Sequence, residues 1–124
     1  MPASKNNSPV QKFMRYWIPV IIYAALIFYL SSIPGKDIPF LFPSQDVVMH
    51  IIEYAIFAIL INRALKAYNP LMAYNRRFFW VFFASFLYAL SDEFHQAFIP
   101  DRSASGSDLF TDAIGSFIGS LIYR

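Results

Sequence analysis

Asp46, His50 and Glu53 recur at i, i+4 and i+7, and Asp92, His95 and Gln96 at i, i+3 and i+4. On helices each set occupies one stripe, with Tyr54 beside the first and Ser91 aligned with His95 in the second. Glu93 is rotated away from Asp92 but reaches Gln96 at i+3. Farther along, Asp108 and Asp112 share a stripe with Gly115 and Gly119. Carboxyls beside imidazoles can give and take protons, which is the material of general acid–base chemistry. Arg102 adds a planar guanidinium able to grip a phosphate through two parallel hydrogen bonds. Ser103, Ser105 and Ser107 flank it, and the free N–H groups at the start of a following helix add further donors.

Other chemistries draw on the same residues. His50-x-x-Glu53 and Asp92-x-x-His95 each set a His and a carboxylate one turn apart, the logic of di-metal bundles and of divalent-ion sites. That spacing arises often by chance, so no residue is assigned to a metal and the cofactor stays unassigned. Carboxylate and His chains also mark proton and ion routes, yet no polar row continues through residues 78–90, where Ser85 is a small interruption. Ser91 beside His95 lacks a nucleophile elbow and triad spacing. Each feature has a structural reading too. His50 and Glu53 can serve as helix-to-helix hydrogen bonds, Asp46 and Asp108 as N-caps. Asp112 can link helices, and Gly115-x-x-x-Gly119 allows close packing. Tyr16, Trp17, Trp80 and Tyr123 fit an interfacial aromatic belt.

The elements that must position these residues are apolar. Of 124 residues, 57% are hydrophobic, 19% aromatic and 15% charged, against roughly 45–50% apolar and about 25% charged in ordinary soluble domains. A chain this short buries too small a fraction of its surface to hide that much apolar area from water. Disorder is excluded by the aromatic content. With no cysteine, disulfides, thiolate metal sites and a Cys nucleophile are excluded together. A net charge of +2, scattered along the chain, is no nucleic-acid footprint.

Four helical spans are expected, at about residues 13–32, 46–65, 78–98 and 108–123, preceded by a polar tail over residues 1–12; residues 13–124 form one domain. Each span is near the roughly 20 residues needed to cross a bilayer. The first has a basic flank in Lys5, Lys12 and Arg15 like a signal peptide, but Ser31-Ser32-Ile33-Pro34 is a poor cleavage site, so the segment is expected to stay as a helix. Threading the spans with the N-terminus in the cytoplasm puts Lys5, Lys12, Arg15, Arg63, Lys66, Arg76, Arg77 and Arg124 on the inner side. Lys36, Arg102 and all eight acids fall on the outer side. Lys/Arg bias of this kind orients helices, whereas a soluble four-helix bundle spreads both signs along its polar faces. The fold expected is an all-α four-helix transmembrane bundle with both termini cytoplasmic.

Depth follows from the helical rise. Glu53 lies roughly 10 Å inside Asp46, Asp112 about 6 Å inside Asp108, and Asp92 about 9 Å from Phe98. Three helices therefore bring carboxyls to similar depth below one surface. Ionisable groups inside a span are costly, so they face the bundle interior or a water-filled cavity. An outward-facing polar site is expected, with Glu53, Asp92 or Glu93 moving protons beside His50, and Arg102, Gln96, Asp108 and Asp112 holding a ligand.

The run Ser91-Asp92-Glu93-Phe94-His95-Gln96-Ala97-Phe98-Ile99-Pro100-Asp101-Arg102, followed by Asp108, Asp112, Gly115 and Gly119, resembles the signature of the VanZ-like family. Upstream, Ser31-Ser32 and Asp46, His50, Glu53 and Tyr54 agree with it. The resemblance covers about residues 16–122. Two positions depart: Asp101 stands where the family commonly has Gly, and Asp112 where it often has Asn. The resemblance implies a multi-pass protein in the cytoplasmic membrane of a prokaryote, linked through the family's namesake to resistance to the glycopeptide teicoplanin. It carries His50, Glu53, Asp92, Glu93, Gln96, Arg102 and Asp108 as matching positions. The expected partner is a membrane lipid or lipid-linked anionic envelope precursor. Whether the site turns this over or only binds it stays open, as do oligomeric state and a non-enzymatic structural or metal-dependent role.

Overall fold

The first helix starts where Ser8 and Gln11 can exchange bonds. Ser8 Oγ accepts from the Gln11 N–H and Gln11 Oε1 accepts from the Ser8 N–H, both at 3.1 Å, forming a capping box with Pro9 at the first helical position. This cap moves the start ahead of the apolar run, to Pro9 instead of about residue 13. In the computed structural model, which describes residues 8–102 and 106–123, four α-helices follow: α1 (Pro9–Ser31), α2 (Gln45–Tyr68), α3 (Tyr74–Gln96) and α4 (Gly106–Ile122). Lys5, Ser103, Ser105 and Arg124 lie outside the described residues.

Pro19 sits inside α1 and has no N–H to give the carbonyl four residues back. That carbonyl, of Arg15, accepts instead from Arg63 Nη1 of α2 at 3.0 Å. The lost helix bond becomes a link between helices. α1 then ends where Ser32 Oγ turns back to the Phe28 carbonyl at 2.8 Å.

Two expected caps are not formed. α2 begins after Ser44, which takes φ 61°, and Asp46 is the second residue inside the helix. Asp108 is likewise in the first turn of α4, two residues past Gly106. Both carboxylates still meet the positive end of a helix dipole.

Contacts between helices fix an up-down-up-down order. At one end, Ser32 meets His95, His50 meets Asp112 and Tyr54 meets Asp92. At the other, Arg63 meets Arg15 and Asn62 meets Arg77 and Tyr123. α2 is central, touching the other three, while α1 and α4 share no contact among the described residues. Its tightest neighbour is α4, because two glycines leave no side chain between them. A Cβ on Gly115 would run into the Ile51 carbonyl, and one on Gly119 into the Ala55 carbonyl. The Gly-x-x-x-Gly stripe is thus a backbone-to-backbone seam.

The interior mixes an apolar core, with Ile27, Tyr54, Phe57 and Val81, and many polar groups, while the exterior is largely apolar. Ser85 and Ser116 share a hydrogen bond of 2.6 Å in the core, and Asn62, Arg77, Asp112 and Ser120 are buried. Phe28, Phe79, Phe83, Phe94, Phe110 and Ile122 face outward. A water-soluble bundle does the reverse. α1 and α2 are each long and apolar enough to cross a membrane, with mean hydropathy 1.7 and 1.6 over their best stretches. α3 carries charge near both ends and α4 has 17 residues; among the described residues neither meets the same measure.

Candidate functional site

All of the described acidic side chains belong to the end of the bundle where α1 and α3 finish and α2 and α4 begin, whereas Lys12, Arg15, Arg63, Lys66, Arg76 and Arg77 belong to the other. Within the acidic end, the first turns of α2 and α4 run side by side across the glycine seam. That register brings His50 Nδ1 to 2.5 Å from Asp112 Oδ1. Asp112 is 1% exposed, and its second oxygen has no hydrogen-bond partner among the described residues.

One turn deeper, Tyr54, fully buried, donates its hydroxyl to Asp92 Oδ2 on α3 at 3.1 Å. Asp92 is also buried, and its Oδ1 is likewise unpartnered among the described residues. Glu53, half-buried, lies within electrostatic reach of His50, Asp92, Asp112 and Arg102, and Asp112 within reach of Asp92 and Asp108. Three carboxyls from three helices therefore share one region with an imidazole and a guanidinium. Gln96 is buried one turn beyond Asp92 on α3.

Arg102 is placed by the loops of the acidic end, one joining α1 to α2 and the other α3 to α4. The Gly35 N–H donates to the Pro100 carbonyl at 3.1 Å, and a Cβ at Gly35 would overlap the Asp101 carbonyl, so only glycine permits this approach. Asp101 itself takes φ 59°, in the left-handed region that Gly enters freely and Asp tolerates. This accounts for the one-residue departure from the Gly of the resemblance. The Arg102 N–H then closes onto the Ile99 carbonyl at 3.2 Å, and Nη1 donates to the Ile33 carbonyl at 3.3 Å.

Between these loops and the first turns of α2 and α4 is a half-open cavity of about 470 Å³. Arg102, His50, Asp46, Asp101 and Asp108 supply its polar wall, and Ile38, Pro39, Phe40 and Phe42 its apolar one. His50 belongs both to this wall and to the buried pair with Asp112, so it connects the cavity to the deeper carboxyls.

Some expected partners are kept apart. His95 Nε2 bonds Ser32 Oγ at 2.8 Å and its ring stacks on Phe28 with centroids 4.3 Å apart, so it ties α3 to α1. Ser91 bonds the Tyr88 carbonyl at 2.7 Å and pairs with no imidazole. Glu93 is half-buried on α3 and does not line the cavity. Among the described residues, no three of His, Asp and Glu converge as a metal-ion site.

Sequence reasoning passed over the role of the loop Ile38-Pro39-Phe40-Leu41-Phe42-Pro43. Its apolar run in a connector was the available signal, since a solvated linker has no use for two Phe and a Leu. It also left Gly35 unmarked, which only the approach of a distant loop reveals.

No curated protein and no solved structure matches the chain. The family profile described as VanZ/LLP1 matches residues 16–124, which takes in α2, α3, α4 and both loops of the acidic end together with most of α1. That span holds every residue of the cavity and of the carboxyl cluster beneath it, and the chain therefore belongs to the VanZ/LLP1 family.

Proposed function

We propose that the chain is a four-span protein of the cytoplasmic membrane of a prokaryote, with both termini in the cytoplasm. Its acidic end faces outward and binds or processes a lipid or lipid-linked anionic envelope precursor. The observation that carries this reading is His50, which lines a cavity shared with Arg102 and at the same time bonds a buried carboxylate. Arg102 holds the phosphate of the headgroup in a bidentate grip. Glu53 with Asp92 or Glu93 handles protons, while His50 and Gln96 orient the reacting group. The basic ends of the helices face the cytoplasm, as Lys/Arg bias dictates. α3 and α4, less apolar, cross the layer shielded by α2 and by each other, their polar groups turned inward. The family connection suggests a link to glycopeptide resistance, for an outward site lies where such antibiotics meet cell-wall precursors.

A competing reading makes the cluster a purely structural link, and the buried His50–Asp112 bond favours it. A substitution series separates the two. Cells expressing Glu53→Gln, Asp92→Asn or Arg102→Lys are tested for survival on teicoplanin, with membrane accumulation and detergent-solubilised thermal melting measured in parallel. Loss of resistance with normal accumulation and melting supports the ligand site. Loss of the folded protein in all three, or unchanged resistance in all three, overturns it.

A further inference from the structure

The basic end of the bundle holds a surface that the cavity at the acidic end does not account for. Lys12, Arg15, Arg63, Lys66, Arg76 and Arg77 gather there, while all eight acidic side chains lie at the opposite end. Some of these cations are already engaged: Arg77 is buried against Asn62, and Arg63 holds the Arg15 carbonyl. Arg76 is exposed and pairs with no carboxylate among the described residues. It lines an open groove of about 400 Å³ together with Tyr68, Asn69, Pro70, Leu71 and Met72. Lys12 adds a second cation beside the groove, its Nζ 4.4 Å from the centroid of the Tyr68 ring.

The loop that forms the groove is held closed by its own hydrogen bonds. The Asn69 N–H and Nδ2 both donate to the Leu65 carbonyl, at 2.9 and 3.4 Å, and the Met72 N–H donates to the Asn69 carbonyl at 3.0 Å. Leu71 within this turn is 99% exposed. Aromatic rings mark the depth of the groove. Trp17 packs on Tyr68 with centroids 6.0 Å apart, and the Arg63 guanidinium lies over Tyr16 at 4.7 Å. Tyr and Trp concentrate at the headgroup level of a bilayer, so in a membrane the groove opens among headgroups. There a guanidinium can grip a phosphate through two hydrogen bonds, and an apolar side chain standing clear of the fold gains by contact with acyl chains. A choline or ethanolamine headgroup would set its cation against Arg76 and Lys12, with no acidic side chain at this end to receive it. A purely anionic headgroup carries no such cost.

We propose that this groove is a second lipid subsite, which takes an anionic phospholipid with its phosphate on Arg76, Lys12 beside it and an acyl chain along Leu71. The proposal requires a chain embedded in a membrane and does not depend on what the cavity at the acidic end binds.

The test titrates the full chain in dodecyl maltoside micelles with dihexanoyl phosphatidylglycerol, dihexanoyl phosphatidylcholine and free glycerol phosphate, reading binding by isothermal calorimetry and folding by thermal melting. The glycerol lipid should bind at least about tenfold tighter than the choline lipid. Arg76→Gln should weaken it about fivefold, the share of one basic residue near an anionic surface. Leu71→Glu, at a position 99% exposed, sets a like charge beside the groove and should weaken it at least as much. Lys36→Gln makes the same charge change at an exposed position of the acidic end and should leave the affinity unchanged. Unchanged affinity in Arg76→Gln overturns the proposal, and so does equal weakening in Lys36→Gln, which would reduce the effect to net charge. Equal affinity for the choline lipid overturns it by removing the charge selection. Equal affinity for free glycerol phosphate overturns it by making the groove a phosphate site. Binding that falls with Arg102→Gln and not with Arg76→Gln belongs to the cavity at the acidic end and likewise overturns it. Should Arg76→Gln fail to fold, Leu71→Glu decides, because undiminished binding in it overturns the proposal.

Discussion

His50 on α2 and Asp112 on α4 are joined by a hydrogen bond of 2.5 Å at the point where two glycines bring those helices into backbone contact. The bond and the seam depend on each other: without the seam the two side chains lie too far apart, and without the bond a carboxylate is buried with no donor. Asp112→Asn keeps an acceptor for the His50 ring and matches the residue the family often carries, so it should fold like the parent. Asp112→Ala leaves the ring without its partner inside the bundle and should cost roughly 1–3 kcal/mol. Thermal melting of the two variants in the same detergent checks this. Equal melting points would show that the pair contributes nothing to the fold.

The seam itself is testable at its glycines. Gly119→Ala places a methyl group against the Ala55 carbonyl and the Ala58 side chain, and packed backbones cannot give way as a flexible side chain would. Overpacking of this kind costs typically about 1–3 kcal/mol. Gly106→Ala, where a Cβ meets nothing within 4 Å, is the matched control and should melt like the parent. A drop in melting temperature for both variants would argue against the seam.

These two sites also mark how far the sequence could be read. The Gly115–Gly119 stripe and the segregation of charge by connector were visible because both are periodic along the chain, and they correctly predicted helix approach and the two ends of the bundle. The stripe through Asp46, His50 and Glu53 likewise placed His50 and Glu53 inside and Asp46 toward the rim. What periodicity could not reveal was choice of partner. His95 shares a stripe with Asp92, but Ser32 and Phe28 of α1 take it, a contact 63 residues away in sequence. Helix starts were missed for the same reason at shorter range: Ser8 with Gln11 begins α1 early, and Ser44, in a left-handed conformation, displaces Asp46 from the cap.

The junction of the two loops at the acidic end makes a paired prediction. Gly35→Ala drives a Cβ into the Asp101 backbone and should push Arg102 away from the cavity. Asp101→Gly removes a side chain from a residue at φ 59° and should relieve part of the roughly 1–2 kcal/mol that a side chain costs in the left-handed region. Lipid binding by the purified chain should therefore weaken in Gly35→Ala, and melting should rise slightly in Asp101→Gly. Full binding by Gly35→Ala would mean that this approach does not position Arg102.

Topology can be read without background because the chain has no cysteine. Phe40→Cys, in the exposed loop between α1 and α2, and Leu71→Cys, 99% exposed between α2 and α3, sit at opposite ends of the bundle. In intact cells a membrane-impermeant maleimide should label the first and spare the second until the cells are opened. The reverse pattern would place the acidic cavity in the cytoplasm, and labelling of both in intact cells would remove α2 from the membrane.

The basic end of the bundle has its own anchor, and it separates stability from ligand binding. In the sequence Arg77 is one of the basic residues of the connector before the third expected span. It lies inside α3 at 4% exposure, with Nε donating to Asn62 Oδ1 at 2.7 Å. Asn62 Nδ2 in turn donates to the Tyr123 carbonyl at 2.9 Å, so one amide joins α2, α3 and the end of α4. Removing the amide in Asn62→Ala strips a buried guanidinium of its acceptor and a helix terminus of its donor. Each loss costs on the order of 1–3 kcal/mol, and the melting temperature should fall clearly. The cavity lies at the far end of the same helices, beyond Ser85 and Ser116. The fraction of Asn62→Ala that remains folded should therefore bind lipid in that cavity with parental affinity. Weakened cavity binding in that folded fraction would show that the two ends are coupled through α2.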